Sequence, residues 1–290
     1  MKTKLLFAIA ALSFLISSCQ KELSFDDNGG GGGGGTTTGD LLTKIESISG
    51  GETLTTEYEY DASKRLLREK ITGTSQGTNL NNDFRIVRNA AGIITSTIQK
   101  NADLAMQGID SAVAIIHYNT STQRYTSRVA EISFSGFSTI DSSAFFYDAS
   151  GKVIRIDEYF KSSSLGPDYE LIAVTEYDYG AGGVTETRLN IADFGNPGGP
   201  TELVLTIKYT YDTNTSPLIL PPGEAAAILR IDLVATANAT KFNYIDVQGA
   251  GSQNFDVTYV YTYNSKNKPA TAVSTENPGN LVSNFTYTYK

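Results

Sequence analysis

Aromatic and polar residues alternate along much of the chain. In residues 254–264, NFDVTYVYTYN, aromatic or aliphatic side chains occupy every second position up to Tyr263. The final stretch, NFTYTYK, continues the pattern with Phe285, Tyr287 and Tyr289. A period of two places these residues on one face of a strand and the polar residues between them on the other. The pattern therefore predicts antiparallel strands that cover a core with one face.

A short turn motif recurs, mostly at intervals of about 30 residues. Its clearest copies are YEYDASKRL at 58–66 and FFYDASGKVI at 145–154. The turn residues are Asp61, Asn89, Asn119, Asp148, Gly180, Asp212 and Asn264. Asp and Asn side chains accept hydrogen bonds from the backbone two residues on. Gly92 and Gly151 supply a positive φ at no steric cost, so each copy predicts a β-hairpin.

The repeat also predicts the architecture. One hairpin alone is marginally stable in water, whereas stacked hairpins bury a continuous aromatic stripe. An exposed sheet edge recruits other strands, and closure removes that edge. We therefore predict an all-β fold, an antiparallel meander of stacked hairpins curled into a roll or barrel. It forms a single domain over residues 41–290.

Two segments interrupt the repeat of hairpin turns. Residues 217–223 contain Pro221 and Pro222 and cannot form a central strand. Glu224 follows, and the pattern predicts one short helix near 223–230 with an acidic residue at its start. Residues 192–200 predict a loop. Long connections on a rigid sheet are natural places for a binding surface, although insertions without function are the simpler alternative.

The turn motifs resemble the YD repeats of Rhs-type proteins, although those repeats are shorter. The sequence is more similar to a group of Bacteroidetes outer-membrane lipoproteins of unknown function. The segments YDTNTSPLILPP, NATKFNY and YTYNSKNKPATAV follow the order of that group's C-terminal half. The resemblance covers about residues 41–290 and implies a porin-like or rolled sheet. Two units depart from the pattern, since 86–94 lacks Tyr-x-Tyr and 209–218 has Pro217 where a glycine turn is expected.

The N-terminus has the features of a lipoprotein signal peptide. Lys2 and Lys4 precede an apolar run at 5–16, which is shorter than a membrane-spanning helix requires. The following Ile-Ser-Ser-Cys resembles the bacterial lipobox. The resemblance implies cleavage after residues 1–18 and lipidation of Cys19, which makes the membrane a partner through this anchor. An ordinary signal peptide with a chance cysteine is the alternative.

Residues 19–40 predict a lipidated cysteine followed by a tether. Lys21, Glu22, Asp26 and Asp27 resemble the surface-export signal of Bacteroidetes lipoproteins, which implies an outer-membrane protein that faces the cell exterior. Anchoring at the periplasmic face is the alternative. The run of glycines at 29–35 predicts a flexible linker that spans about 25 Å.

Composition argues against several classes of function. The 290 residues carry a formal net charge of −8, which disfavours binding to nucleic acid and electrostatic docking on anionic lipid. Cys19 and His117 are the only residues of their types, so neither an internal disulfide nor a His/Cys metal site is expected. Asp212-x-Asn214-x-Ser216 resembles part of a calcium loop but lacks its glycine and closing glutamate. We expect no metal site and no cofactor.

Few residues are candidates for catalysis or modification. His117 lies on a predicted strand, where packing or surface exposure is commoner than catalysis. Asp157 and Glu158 are adjacent and must point to opposite faces of a strand, whereas Glu176 and Asp178 share one. Paired carboxylates are the groups that hydrolyse glycosides. The three residues beginning at Asp110 resemble a Bacteroidetes O-glycosylation site, which makes Ser111 a possible glycosylation position.

These observations predict a non-enzymatic binding or scaffold module of the cell envelope, with an unknown glycan or protein ligand. Catalytic residues are not expected. One alternative is a carrier that holds a lipid or other apolar ligand inside a curled sheet, because the aromatic face is large. The other is a glycan-active hydrolase, which requires two carboxylates in one cleft. The tyrosines predict core packing first and a stacking platform second.

Overall fold

The structure is a computed structural model that describes residues 40–134, 137–162, 168–193, 199–247 and 254–290. The signal peptide, Cys19 and the glycine tether predicted from the sequence lie outside the described residues. No helix within the described ranges is long and apolar enough to cross a membrane.

Sixteen antiparallel strands and three short helical elements make up the described chain. The strands are β1 Leu42–Ser49, β2 Glu52–Tyr60, β3 Leu66–Ser75, β4 Thr78–Arg88, β5 Ile94–Lys100, β6 Ala112–Asn119, β7 Arg124–Phe134, β8 Phe137–Tyr147, β9 Val153–Ser162, β10 Glu170–Tyr179, β11 Val184–Ala192, β12 Thr201–Thr215, β13 Ala237–Asp246, β14 Phe255–Tyr263, β15 Pro269–Asn277 and β16 Leu281–Tyr289. The helices are α1 Ala102–Met106, α2 Pro222–Ala227 and a 3₁₀ helix Ile231–Val234.

Each strand pairs with the next, and β16 pairs with β1, so the sheet closes into a barrel. At the seam Ile45 lies opposite Tyr287, and the backbones of Leu41 and Lys290 exchange two hydrogen bonds of 2.8 and 2.9 Å. The predicted antiparallel meander in barrel form is confirmed. A circular barrel of sixteen strands is about 30 Å across between backbones.

The recurring turns all lie at one end of the barrel, which we call the turn end. In the first copy the Asp61 side chain accepts hydrogen bonds from the N–H groups of Ser63 (2.8 Å) and Arg65 (2.9 Å). Gly92 and Gly151 adopt the expected positive φ of 84° and 87°. The other connections, including α1, lie at the opposite end, which we call the loop end.

The turn predicted at Asp212 is wrong. Its side chain does accept a bond from the backbone N–H of Asn214 at 3.0 Å, as in the other copies, but β12 continues to Thr215. The chain then enters an insertion instead of reversing. The Asp212 carboxylate also accepts from the Asn238 N–H at 3.0 Å and from the Tyr263 hydroxyl, so it fastens three strands at the root of the insertion.

The insertion, residues 216–236, lies inside the barrel at the turn end, and we call it the plug. It contains α2 and the 3₁₀ helix, and it forms one core with inward-facing rings of the strands, such as Tyr58, Phe145 and Tyr287. The predicted helix near 223–230 is confirmed and ends at Ala227. The connection that interrupts the repeat therefore closes one end of the barrel.

Two buried ion pairs fix the plug to the wall. Glu224 accepts two bonds from Arg88 on β4, at 2.8 and 2.7 Å. Arg230 donates to Glu69 on β3, at 3.1 and 3.0 Å, and also pairs with Asp232 in the plug at 3.0 Å. Guanidinium groups held bidentately in this way set orientation as well as contributing energy.

The two faces of the sheet have opposite character. On β2, Leu54 and Tyr58 are buried inside the barrel, whereas Glu57 and Glu59 are exposed outside. The outer face of many strands carries ion pairs between neighbouring strands. Examples are Arg68–Glu59, Arg68–Asp83, Arg188–Asp178, Arg188–Glu186, Lys208–Glu186 and Lys241–Asp256. Most rings face inward. The outer face combines these ion pairs with exposed aliphatic side chains such as Ile115 and Val260 and with the exposed ring of Phe146.

Tyrosine hydroxyls join neighbouring hairpins at the turn end. Each donates to a backbone carbonyl of the adjacent strand. The pairs are Tyr60 to Leu42 (2.7 Å), Tyr147 to Tyr125 (2.7 Å), Tyr179 to Val153 (2.7 Å), Tyr211 to Val184 (2.7 Å), Tyr261 to Ala239 (3.0 Å) and Tyr289 to Pro269 (2.8 Å). The two strands of each pair are connected by the chain only at the loop end. The hydroxyl bonds therefore tie hairpins together where no turn does.

We expect Tyr147→Phe to lower the free energy of unfolding by about 1 kcal/mol, because the ring stays and one hydrogen bond is lost. Urea denaturation measures the change. Tyr169→Phe is the matched control, since Tyr169 is exposed and, among the described residues, no hydrogen bond of its hydroxyl joins two strands. Equal stability of the two variants would show that the hydroxyl bonds do not hold the hairpins together.

Candidate binding chamber

The interior of the barrel toward the loop end is less densely filled than the plug region. Next to the plug, the inward rings of Tyr58 and Tyr287 are buried, at 5% and 7% exposure. Farther toward the loop end, the inward rings of Phe242 and Tyr259 are only half-buried. The principal contacts of each strand run to its sheet neighbours, and for a few strands to the plug. We call the space that these rings border the chamber.

One side of the chamber is a continuous array of aromatic rings, which we call the aromatic wall. It consists of Tyr209, Phe242, Tyr244, Phe255, Tyr259, Tyr261 and Phe285, on β12, β13, β14 and β16. Centroid distances are 5.3 Å for Tyr209–Phe242, 5.5 Å for Phe242–Tyr259 and 6.2 Å for Tyr259–Phe285. Strand alternation produces this array, because every second residue of each strand faces inward. Ser274 and Ser283 face inward in the same row as Tyr259.

Another sector, on β7, β8 and β9, carries three charged side chains that face inward. Arg128 lies opposite Ser143, and Ser143 lies opposite Glu158. Asp141 is two residues from Ser143 on β8 and therefore shares its inward face. Ser143 is also in phase with Phe145, which packs in the interior core, so this face is the inner one. We call Arg128, Asp141 and Glu158 the charged cluster.

No hydrogen bond or ion pair joins the members of the charged cluster in the described part of the chain. Burial is the main cause of their altered proton affinities. It lowers the pKa of Arg128, raises the pKa of Asp141 and raises the pKa of Glu158 to about 7, while attraction between Arg128 and the carboxylates opposes these shifts. Protein surrounds Arg128 and Glu158 on nearly every side, yet both keep part of their surface accessible to water. They therefore border the chamber.

Tyr177 connects the charged cluster with the aromatic wall and with the plug. Burial raises the pKa of its hydroxyl, and smaller contributions come from Glu158, Tyr209 and Asp232. Tyr177 also lies opposite Thr187, whose hydroxyl is 3.2 Å from that of Tyr209. The charged cluster thus lies near the inner surface of the plug, which makes it part of the base of the chamber.

The candidate catalytic residues predicted from the sequence lie on both faces of the barrel wall. His117 is exposed on the outer face of β6. Glu176 and Asp178 share the outer face, as expected, and both pair with Arg188. Asp157 also points outward and pairs with Arg155, whereas Glu158 points inward, which confirms the expected divergence of this pair.

The remaining candidates have structural surroundings. Ser111 is half-buried between α1 and β6, and its neighbour Asp110 pairs with Lys100 at 2.7 Å. The Asp212 carboxylate is occupied by protein donors, as described above, and not arranged as a calcium loop. Among the described residues no group of three or more His, Cys, Asp or Glu side chains is placed to hold a metal ion.

Sequence reasoning missed Arg128 and Asp141. A signal was present, because Asp141 is in phase with Phe145 and Tyr147, and Arg128 is in phase with Ala130. A charge in phase with buried residues on a period-two strand must enter the interior. What the sequence does not give is the pairing of β7, β8 and β9 that brings the three charges together.

No protein-family model matches this chain, and no curated protein matches it. Solved structures of two proteins share its fold. A porin-like protein from Bacteroides uniformis is 12% identical, with a TM-score of 0.50 over 86% of this chain and 96% of that chain. A porin-like protein from Bacteroides vulgatus is also 12% identical, with a TM-score of 0.53 over 87% of this chain and 99% of that chain. This chain thus has the closed-barrel fold of porin-like proteins.

We expect the stability of the barrel to depend on the protonation of Glu158. Its folded-state pKa of about 7 exceeds the unfolded value of about 4.3, so the folded state binds the proton more tightly. Stability therefore falls as the pH rises from about 4.3 to about 7. The uncharged Glu158→Gln variant should be more stable than the wild type at pH 8, by about 2 kcal/mol, and similar to it at pH 4.

Urea denaturation at the two pH values measures this difference. Glu57→Gln, on the exposed outer face, is the control and should follow the wild type at both. A constant offset of Glu158→Gln at both pH values contradicts the assignment of a raised pKa to this carboxyl.

Proposed function

We propose that this protein is a lipid-anchored, non-catalytic binding protein of the outer membrane, whose barrel stands in water and encloses its ligand. The observation that carries the proposal is the polarity of the sheet. Aromatic rings and the charged cluster border an interior chamber, whereas the outer face carries many ion pairs among exposed aliphatic side chains. This polarity suits a container that is dissolved in water.

The outer face supports a location outside the bilayer. Transmembrane barrels present an apolar band to lipid, and an Arg or Lys on the lipid face costs about 2–4 kcal/mol at the midplane. Here Arg68, Arg155 and Arg188 all lie on the outer face with acidic partners. A barrel with this exterior needs another means of attachment to a membrane, and lipidated Cys19 supplies one.

The strand order indicates which end of the barrel faces the membrane. Leu41 lies at the turn end, beside the plug, so a tether that precedes it leaves from the closed end of the barrel. The loop end is then the end farther from the membrane. In this arrangement the chamber opens away from the bilayer, where a ligand from the surroundings reaches it without meeting lipid.

Glycoside hydrolysis is a second candidate function, and one observation favours it. Asp141 and Glu158 lie on neighbouring strands and face the same interior, which places two carboxyl groups in one cavity. A carboxyl group with a raised pKa beside a second carboxyl group is the arrangement of a general acid and its partner. Release of reducing ends from a bound glycan distinguishes this function from binding alone.

Cys19→Ser should abolish incorporation of radiolabelled palmitate and release the protein from the membrane fraction, because no other lipid attachment is expected. Ser111→Ala is the control, which should stay anchored. Its mass, compared with that of the wild type, also reports whether Ser111 carries a glycan. Retention of Cys19→Ser in the membrane fraction contradicts the proposed anchor.

Ser283→Trp should reduce binding of the uncharged fluorescent probe N-phenyl-1-naphthylamine, because the new indole projects into the chamber beside Tyr259. Asn284→Trp is the matched control, since this adjacent residue is exposed on the outer face. The proposal expects at least a fivefold weaker affinity for the first variant alone. Equal probe binding by both variants contradicts an interior binding site.

A further inference from the structure

We infer that the charged cluster and the aromatic wall together bind a neutral, polyhydroxylated ligand, of the class of oligosaccharides. The inference rests on the proposed function, in which the chamber is the binding site. It adds the chemical class of the ligand, which neither the fold nor the porin-like structures indicate.

The donors and acceptors of the charged cluster determine what it can recognise. The Arg128 guanidinium only donates hydrogen bonds, and an ionised Asp141 only accepts them. Neither satisfies the other directly in this structure. A hydroxyl group both donates and accepts, so neighbouring hydroxyls of one ligand can satisfy Arg128 and Asp141 together. Glu158 serves in either role, since its pKa of about 7 allows both protonation states near neutral pH.

Other ligand classes fit these groups less well. An anion that approaches Arg128 also meets Asp141 and Glu158, and a cation that approaches the carboxylates meets Arg128. Glu276, which faces inward nearer the loop end, adds further repulsion for an anion. A purely apolar ligand removes water from all these charges and returns no hydrogen bond, which costs free energy for each group left unpaired.

The aromatic wall offers the complementary surface. A sugar ring has apolar C–H faces that pack on aromatic rings such as those of Phe242 and Tyr259. Ser283 faces inward in the same row as Tyr259, is only half-buried, and brings a hydroxyl to this surface. A hydrocarbon chain makes no hydrogen bond with this hydroxyl. The mixture of rings and small polar residues therefore favours a ligand that has both apolar faces and hydroxyl groups.

The dimensions of the barrel allow such a ligand. Subtracting a side-chain layer on each wall from a backbone diameter of about 30 Å leaves roughly 20 Å. A chamber of this width accommodates several sugar rings between the charged cluster and the aromatic wall. The plug occupies the turn end, so the proposal places ligand entry at the loop end.

The purified full chain is tested on an array of neutral glycans, and the affinity of a positive glycan is measured by calorimetry. Palmitate and spermidine serve as anionic and cationic probes. We expect a neutral oligosaccharide to bind with an affinity that does not change with salt. Asp141→Asn and Tyr259→Ala should each weaken it at least tenfold, whereas Glu57→Gln, on the outer face, should leave it unchanged.

The near-ultraviolet circular dichroism of each variant verifies that the barrel is intact. If no neutral glycan binds, or if only palmitate or spermidine binds, the inferred ligand class is wrong while an interior chamber stands. If the fluorescent probe also fails to enter the wild type, the proposed function itself is wrong. If the bound glycan is cleaved, the inferred ligand class is supported, and the protein is a hydrolase instead of a non-catalytic binding protein.

Discussion

The pairing of the first strand with the last is the constraint on which the rest of the molecule depends. A sheet of sixteen strands that remained open would expose two edges with unpaired backbone groups. The contact between β1 and β16 satisfies these edges with each other, and Leu41 and Lys290 extend it beyond the strands. Closure also separates an inside from an outside, so that each residue's position in the alternation decides whether it meets water.

The closed end of the barrel combines two kinds of interaction that reinforce one another. Tyrosine hydroxyls tie neighbouring hairpins through backbone carbonyls, and the plug packs against inward rings next to the same turns. Removal of either partner of a buried ion pair such as Arg88–Glu224 leaves a charge without compensation, so these pairs specify one position for the plug. The base of the chamber is thus rigid before any ligand arrives.

The charged cluster differs from the closed end because, among the described residues, no hydrogen bond or ion pair joins its three side chains. Arg128, Asp141 and Glu158 influence one another's proton affinities without direct bonds. Structural ion pairs on the outer face, such as Arg188–Asp178, are in contact. Partly buried charges that lie near one another without direct hydrogen bonds raise the free energy of the folded state. A ligand or ordered water that completes their hydrogen bonds removes this cost. This contrast is the physical basis for placing the binding site inside the barrel.

The local features of this protein follow from short segments of its sequence. The alternation of rings with polar residues fixed the strands and their two faces, and Asp61, Gly92 and Gly151 marked the reversals through bonds that span only a few residues. The sequence also showed that Glu158 and Asp157 diverge, because adjacent residues of a strand always do. Three features became visible only in the folded chain: β16 returns to β1, Asp212 begins a plug instead of a turn, and Arg128, Asp141 and Glu158 share one region of the interior. These features depend on the register between separate strands and on space inside a closed sheet, and no pattern within a short segment encodes either.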